Sequence, residues 1–380
     1  MEILDRYRDR RGPRSRRCHD VAAEEYGGTM GTRIRLAAAI GSVLFLFSIV
    51  RPATGGQSAE PFKFFSEYVG LDQDQIAELR SGKAIAKVLD SPTADQVFVF
   101  GAVHVESTPE DYLKLASNVD ALRKLPNYLA IQKFSDPPQL SDLAGFTLEA
   151  DDVEQLKNCK PGKCDVQLPV EAMDQFQQSV DWSAPDVATQ VNQMAQKMAL
   201  EALLKYIQGG NTALGTYRDK KHPAVVAGTF QSLLSRSKAL PVYLPALDRY
   251  LLDYPNANSD NIESQFYWEK VNFGLKPTLR IVQAIVYRGT NSSDPAYAIA
   301  IKQLYASHYF ESALDLTVCV RDQEQPEPRG IYLITLKGSQ QAGLTGLKGT
   351  IIRKVAVDKT RSSLQRALEA IKQKLERPAD

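Results

Sequence analysis

The chain has 380 residues, of which 43% are hydrophobic and 24% charged, and its formal net charge is +1 at pH 7. This composition excludes a disordered chain and a polytopic membrane protein, and the length allows a large core in one or two domains. Residues 1–59 hold ten arginines and six acidic residues, which leaves 36 basic and 39 acidic side chains in the remainder. No basic stripe crosses that near-neutral remainder, so we do not expect nucleic acid as a partner.

The beginning of the chain predicts an export signal. Arg33 and Arg35 precede an apolar run at 36–50, and small residues follow it, which is the three-part pattern of a signal peptide. We therefore assign residues 30–59 to a signal peptide that starts at Met30. An uncleaved signal anchor is the alternative, although the apolar run is shorter than the ~20 residues of a typical membrane span.

Residues 1–29 are arginine-rich and show no periodicity. We interpret them as the product of a mis-assigned start codon. The alternative is a cytoplasmic basic tail, which would favour a signal-anchored protein of the inner membrane under the positive-inside rule. Both interpretations place the rest of the chain in an oxidising compartment, periplasmic or extracellular.

The cysteine pattern agrees with export. Cys18 lies in the leader, and Cys159 and Cys164 flank a Pro-Gly pair that favours a tight turn, so these two predict a small disulfide loop. No second Cys/His pair completes four ligands, and we predict no metal site and no cofactor. Cys319 is expected to be a buried free thiol.

The first part of the body predicts strand, strand, helix, strand. Residues 82–89 and 96–105 alternate in hydrophobicity and should pair as a hairpin. Ser107, Thr108 and Pro109 are typical of a helix start, and the helix is predicted to end near Leu125. Another strand is predicted at 128–134.

The middle of the chain, residues 141–261, predicts a helical insertion that also carries the disulfide loop. Its clearest helix spans 187–207 and ends at Gly209-Gly210, and two further helices are predicted at 223–234 and 242–252. Strand alternation is absent from this part.

Strands return after the insertion and predict an antiparallel meander, followed by an amphipathic helix at 359–375 in which Leu364 and Leu368 share a face. We predict the strands at 262–273, 278–287, 297–320 and 330–336. The strand at 297–320 contains neither Gly nor Pro and is predicted to be uninterrupted. The gly-rich run at 338–349 is predicted to be a loop.

This order of elements resembles the START-like (SRPBCC) helix-grip superfamily over residues 60–140 plus 262–380. The resemblance implies an α+β fold in which a curved antiparallel sheet grips a long C-terminal helix above an apolar cavity. Members bind lipids, sterols or polyketides, and some catalyse cyclisation or hydration. The Cys-Lys-Pro-Gly-Lys-Cys loop, Tyr267-Trp268 and the run YASHYF at 305–310 are also similar to exported bacterial proteins.

Tyr305, His308 and Glu311 form the best candidate for catalysis. Histidine can act as acid or base near neutral pH, and a carboxylate can orient it. In a regular strand, however, His308 points to the face opposite Tyr305 and Glu311, so only a bulge would bring the three together. Only His308 and Tyr305 are retained as catalytic candidates, while His104 is expected to be structural and His222 to lie in a loop.

Three functions follow from these patterns. The first is an exported protein that binds a hydrophobic small molecule or lipid in a helix-grip cavity. The second is a cyclase- or hydratase-like enzyme that uses His308 with Tyr305, and the third is a cell-envelope protein that docks partners through the insertion. Aromatic walls suit an apolar ligand, and the predicted ligand contacts are Trp268, Tyr287, Tyr305, His308 and Phe310.

Overall fold

The computed structural model describes residues 61–377 apart from 125–127, 258, 273–275, 292–293, 324–329 and 342–345. The predicted leader and signal peptide, with Cys18, lie outside the described residues. Within the described ranges, no helix combines the length and hydropathy that a membrane crossing needs.

An eight-stranded antiparallel sheet is the centre of the fold, and helices pack on it, which confirms the α+β prediction. Its strands stand in the order β1-β2-β10-β9-β8-β7-β6-β3, so β1 and β3 are the two edges. They are β1 (Ile85–Leu89), β2 (Gln96–Val105), β3 (Tyr128–Lys133), β6 (Ile262–Val271), β7 (Thr278–Arg288), β8 (Tyr297–Ala306), β9 (Phe310–Arg321) and β10 (Ile331–Gln341). A separate two-stranded ribbon pairs β4 (Thr216–Tyr217) with β5 (Ala224–Val225).

Strand alternation gives the sheet two buried faces. On one, which we call the helix face, Val99 and Val103 pack beneath the C-terminal helix. On the other, the insertion face, Phe100 and Ala102 pack under the N-terminal helices. The insertion covers the rest of the second face.

The C-terminal helix α11 (Gly346–Glu376) contains the predicted helix and extends it by more than three turns toward the N-terminus. It packs on β2 and β1 at one edge of the sheet. Gly101 permits this close approach, because a Cβ there would lie 2.8 Å from both Leu364 and Leu368. Near the C-terminal end of α11, the Lys372 ammonium donates a hydrogen bond to the His104 backbone oxygen at 3.0 Å and holds that end of the helix on β2.

Helices from two parts of the chain cover the insertion face. The N-terminal helices pack against β2 and β10, and those of the insertion pack against β6 to β9. The first group comprises α1 (Pro61–Phe64), a π-helical turn (Phe65–Val69) and α2 (Gln73–Arg80). The second comprises α7 (Val187–Gly209), α8 (Val226–Arg236), α9 (Leu240–Tyr243) and α10 (Pro245–Asp253), with 3-10 turns at Leu140–Leu143 and Gly210–Ala213. The other two helices of the insertion, α5 (Ala150–Leu156) and α6 (Val170–Ser179), pack on α7.

The predicted helix at 107–125 is divided into α3 (Pro109–Ala116) and α4 (Val119–Arg123). Asn118 causes the division, because its side chain accepts a hydrogen bond from the Ala121 amide and so caps a new helix. The predicted start near Thr108 is confirmed: its hydroxyl caps α3 through the Asp111 amide.

The prediction of one uninterrupted strand at 297–320 is wrong. The chain turns back at Ser307, His308 and Tyr309, so that β8 and β9 form a hairpin. Tyr309 has a φ of 66°, a left-handed conformation that a tyrosine seldom adopts. The turn was missed because it uses neither of the residues that usually mark one, Gly or Pro.

The predicted disulfide is present. Cys159 and Cys164 are bonded, with their Cα atoms 4.7 Å apart, and both are buried in the cluster formed by α5, α6 and α7. Cys319 is a buried free thiol on β9, as expected. Burial raises its pKa to about 12.

Candidate functional site

His308 lies in the β8–β9 turn and contacts the insertion with both ring nitrogens. Nε2 is 3.1 Å from Oδ2 of Asp152 on α5, and Nδ1 is 3.1 Å from the backbone oxygen of Asp165. The Lys276 ammonium contacts the other oxygen of Asp152. The imidazole, the carboxylate and the ammonium therefore form one polar network between the sheet and the insertion.

Both nitrogens of His308 lie within hydrogen-bond distance of an oxygen atom of the insertion. Burial acts to raise the pKa of Asp152, but the hydrogen bonds from His308 and Lys276 outweigh it, and this pKa lies below its usual value. Each ring nitrogen of His308 already has an oxygen partner within the protein. These contacts therefore hold the β8–β9 hairpin against α5.

Tyr305 lies close to this polar network but makes no hydrogen bond to His308. It packs edge-on against Tyr217, with ring centroids 6.2 Å apart. Burial, and after it the neighbouring Tyr217, raise the pKa of Tyr305 well above its usual value. Asp219, on the same side, is also buried, and burial raises its pKa.

The remaining predicted ligand contacts occupy separate parts of the interior. Trp268 packs against Phe146 and donates its indole N–H to the Asp142 carbonyl at 2.7 Å. Tyr287 belongs to the cluster under α8 to α10. Phe310 opens β9, where its carbonyl accepts a hydrogen bond from Gln303 at 3.0 Å. The fold does not bring the five predicted residues together around one space.

A cavity of about 560 Å³ lies elsewhere, on the insertion face. It occupies the gap between the N-terminal helices and the insertion, near the β1–β2 turn. The volume falls within the ~300–1,000 Å³ of typical ligand pockets. None of the five predicted ligand contacts is among its lining residues.

The cavity walls are mostly apolar, and each wall comes from a different element. The sheet supplies one wall, the N-terminal segment a second and α8 with α9 the third. The apolar side chains that line it on this face are those of Phe64, Tyr68, Val69, Leu89, Pro92, Phe98, Leu233, Ala239, Leu240, Leu314, Leu316 and Leu336. A second, smaller pocket shares Phe64, Leu240, Leu316 and Leu336 with it and continues the apolar surface toward Tyr243.

Basic side chains join the apolar lining at the exposed end of α8 and on the adjoining strands. Arg236 and Lys238 are exposed, and Lys87 and Lys337 are half-buried. Asp90 is the one carboxylate among the described residues that line this cavity. The site therefore combines an apolar interior with a mostly cationic rim.

A buried lysine, Lys302 on β8, is the second unusual group on the insertion face. Its ammonium donates to the Tyr206 hydroxyl at 2.8 Å and to the Asn211 side chain, and it lies 4.3 Å from the centre of the Phe230 ring. Its side chain is fully buried, and among the described residues no carboxylate pairs with it. Burial lowers its pKa from 10.5 to about 7.

Sequence reasoning missed the cavity and Lys302 for different reasons. The cavity residues come from segments far apart in the chain, and no local motif connects them. Lys302 did have a sequence signal. It is the single lysine in the run Tyr297–Ala306, and the other residues on its face of that strand, 298, 300, 304 and 306, are all apolar.

No protein-family model matches the chain, and no curated protein matches it.

Proposed function

We propose that this protein is an exported carrier that binds a hydrophobic small molecule or lipid in the cavity on the insertion face. The observation that carries the proposal is the cavity itself, with its volume of about 560 Å³ and its apolar walls. Burial of apolar ligand surface in such a space is favourable at roughly 25 cal/mol per Å². A long-chain ligand can therefore be held without any polar contact in the interior.

The order of elements supports a START-like relationship for the sheet and α11. The position of the cavity differs from what that relationship implies. Leu364 and Leu368 fill the space between α11 and β2, so the proposed ligand lies on the opposite face of the sheet. Binding under the C-terminal helix is accordingly not part of the proposal.

The disulfide supports export. Such bonds persist in oxidising compartments and are rare in reducing ones. The pattern at residues 30–59 supports the same location, with the periplasm or the extracellular space as the destination and a signal anchor as the alternative.

Native mass spectrometry of the exported protein, followed by solvent extraction, tests the proposal. We expect an apolar or amphiphilic molecule to copurify. After its removal, the protein should bind Nile red, a neutral probe whose fluorescence rises in apolar surroundings. Absence of both the copurifying molecule and Nile red binding would contradict the proposal.

A cavity-filling variant sharpens the test. Leu336→Trp adds volume at a partly exposed wall residue that both pockets share, and we expect Nile red affinity to fall at least tenfold. Leu252→Trp makes the same chemical change on α10, where the leucine is 41% exposed and does not line the cavity. Equal affinities of these two variants would place the bound probe outside the cavity.

A further inference from the structure

We infer that the cavity selects amphiphiles with an anionic head group, such as a fatty-acid carboxylate, and that Arg236 and Lys238 bind that group at the rim. This inference rests on the proposed function and specifies its ligand class. It follows from the distribution of charge around the cavity, from the partners of each charged side chain and from the apolar residues that adjoin the unpaired cations.

Positively charged side chains outnumber negatively charged ones at the rim. Four basic side chains line the cavity, namely Lys87, Arg236, Lys238 and Lys337, against the carboxylate of Asp90. An excess of one sign beside a low-dielectric wall raises the local concentration of ligands of the opposite sign. The near-neutral composition of the body makes this local excess a property of the site and not of the whole surface.

Two of the four cations already have partners. Lys337 forms an ion pair with Asp315 of the neighbouring strand. Lys87 donates to the Gly70 carbonyl at 2.5 Å, at the end of the π-helical turn, which uses a donor but leaves its charge unneutralised. The charge of Lys337 is therefore neutralised by Asp315, whereas that of Lys87 adds to the positive potential at the rim.

Arg236 and Lys238 remain available. In the described part of the chain, neither forms an ion pair, and both are exposed at the end of α8. They also flank Ser237, which lines the cavity as well. An arginine and a lysine two residues apart can hold one carboxylate, the arginine through its planar fork and the lysine as a point charge.

Leu233 and Leu240 begin the apolar wall immediately beside these cations. Leu233 precedes Arg236 by one helical turn, and Leu240 follows Lys238 by two residues; both leucines are buried and line the cavity. A ligand with its head group at Arg236 and Lys238 therefore has apolar surface directly next to it. This sequence of polar and apolar lining matches a single-chain anionic amphiphile.

The test compares dodecanoate with dodecanol, which has the same chain and a neutral head group. Displacement of Nile red from the delipidated protein is measured with both ligands below the concentrations at which they self-associate. We expect dodecanoate to bind about tenfold more tightly, because hydrogen bonds to a charged group are stronger than those to a hydroxyl. We expect the preference to weaken as the salt concentration rises.

Arg236→Gln combined with Lys238→Gln should abolish this preference by lowering the affinity for dodecanoate about tenfold, to that for dodecanol. Lys160→Gln combined with Lys163→Gln is the matched control, because it removes an equal number of positive charges from exposed positions in the disulfide loop. Sedimentation of the protein with vesicles of anionic phospholipid tests whether the two cations bind a bilayer surface instead of a free amphiphile.

The outcomes are distinguishable. Equal affinity for dodecanoate and dodecanol would overturn the inference and leave the proposed function standing. Failure of both ligands, with no Nile red bound, would overturn the proposed function itself. Binding to anionic vesicles without binding to dodecanoate would assign the cations to a membrane surface and overturn the inference. Loss of the preference for dodecanoate in the control variant would also overturn it.

Discussion

At the scale of single residues, Lys302 is the group whose burial is hardest to explain by stability. The removal of an ammonium from water costs several kcal/mol when no counter-charge accompanies it. Here the compensation consists of a phenol oxygen, an amide oxygen and two aromatic rings. Such an amine is expected to lower the stability of the folded protein at neutral pH.

Lys302→Met tests this expectation. The folded-state pKa of about 7 lies below the ordinary value of 10.5, so the unfolded chain binds more protons between these values and wild-type stability rises with pH across this window. We expect the methionine variant to be more stable by ~4 kcal/mol at pH 7 or below, with the gain shrinking toward pH 10.5.

Urea denaturation from pH 6 to pH 10 measures this difference. Lys205→Met is the control, because Lys205 is exposed on α7, the helix that also carries Tyr206. A stability gain at Lys302 that did not change with pH would show that the amine keeps its ordinary pKa in the folded protein.

At the scale of elements, the contact between α11 and β2 depends on the absence of a side chain at Gly101. Gly101→Ala should destabilise the protein by about 1–3 kcal/mol, because its Cβ would lie 2.8 Å from two leucines of a well-packed layer. Gly215→Ala is the control, since a Cβ there has no neighbour within 4 Å. Thermal unfolding of both variants measures the difference, and equal effects would mean that α11 can shift away without cost.

Elements with their own local pattern could be predicted from the sequence. The hairpin of β1 and β2, the helix α7 and the C-terminal helix follow from periodicity in one segment each. The break at Asn118 and the turn at Tyr309 were missed. The Asn118 break depends on a local side-chain-to-backbone hydrogen bond that competes with a continuous helix. The positive φ of Tyr309 goes against the local propensity of a tyrosine.

The candidate site was less predictable than the elements. Its walls belong to α1, the π-helical turn, α8, α9, β1, β2, β9 and β10, and only the topology brings these together. His308 shows the same limit in a single contact, because its partner, Asp152, stands 156 residues away in the chain. A tertiary contact of this kind leaves no mark in either segment alone.

At the scale of the whole molecule, the disulfide cluster and the cavity are separate parts of the interior. The bond closes a short loop among α5, α6 and α7, whereas the cavity involves other elements. The Cys159→Ser/Cys164→Ser variant should therefore lose ~2 kcal/mol of stability, the loop-closure value for so short a loop, while Nile red affinity stays the same. Urea denaturation and probe titration of one sample measure both, and a parallel loss of affinity would couple the two regions.

The two edges of the sheet have a consequence for behaviour in concentrated solution. The edge strands β1 and β3 contain 5 and 6 residues, whereas the six strands between them contain 10 to 12. An incoming strand from another molecule would find few free amides and carbonyls to pair with, and the register shift between Tyr128 and Ala130 interrupts one of the two edges. Short borders of this kind keep a broad sheet from polymerising through its own backbone.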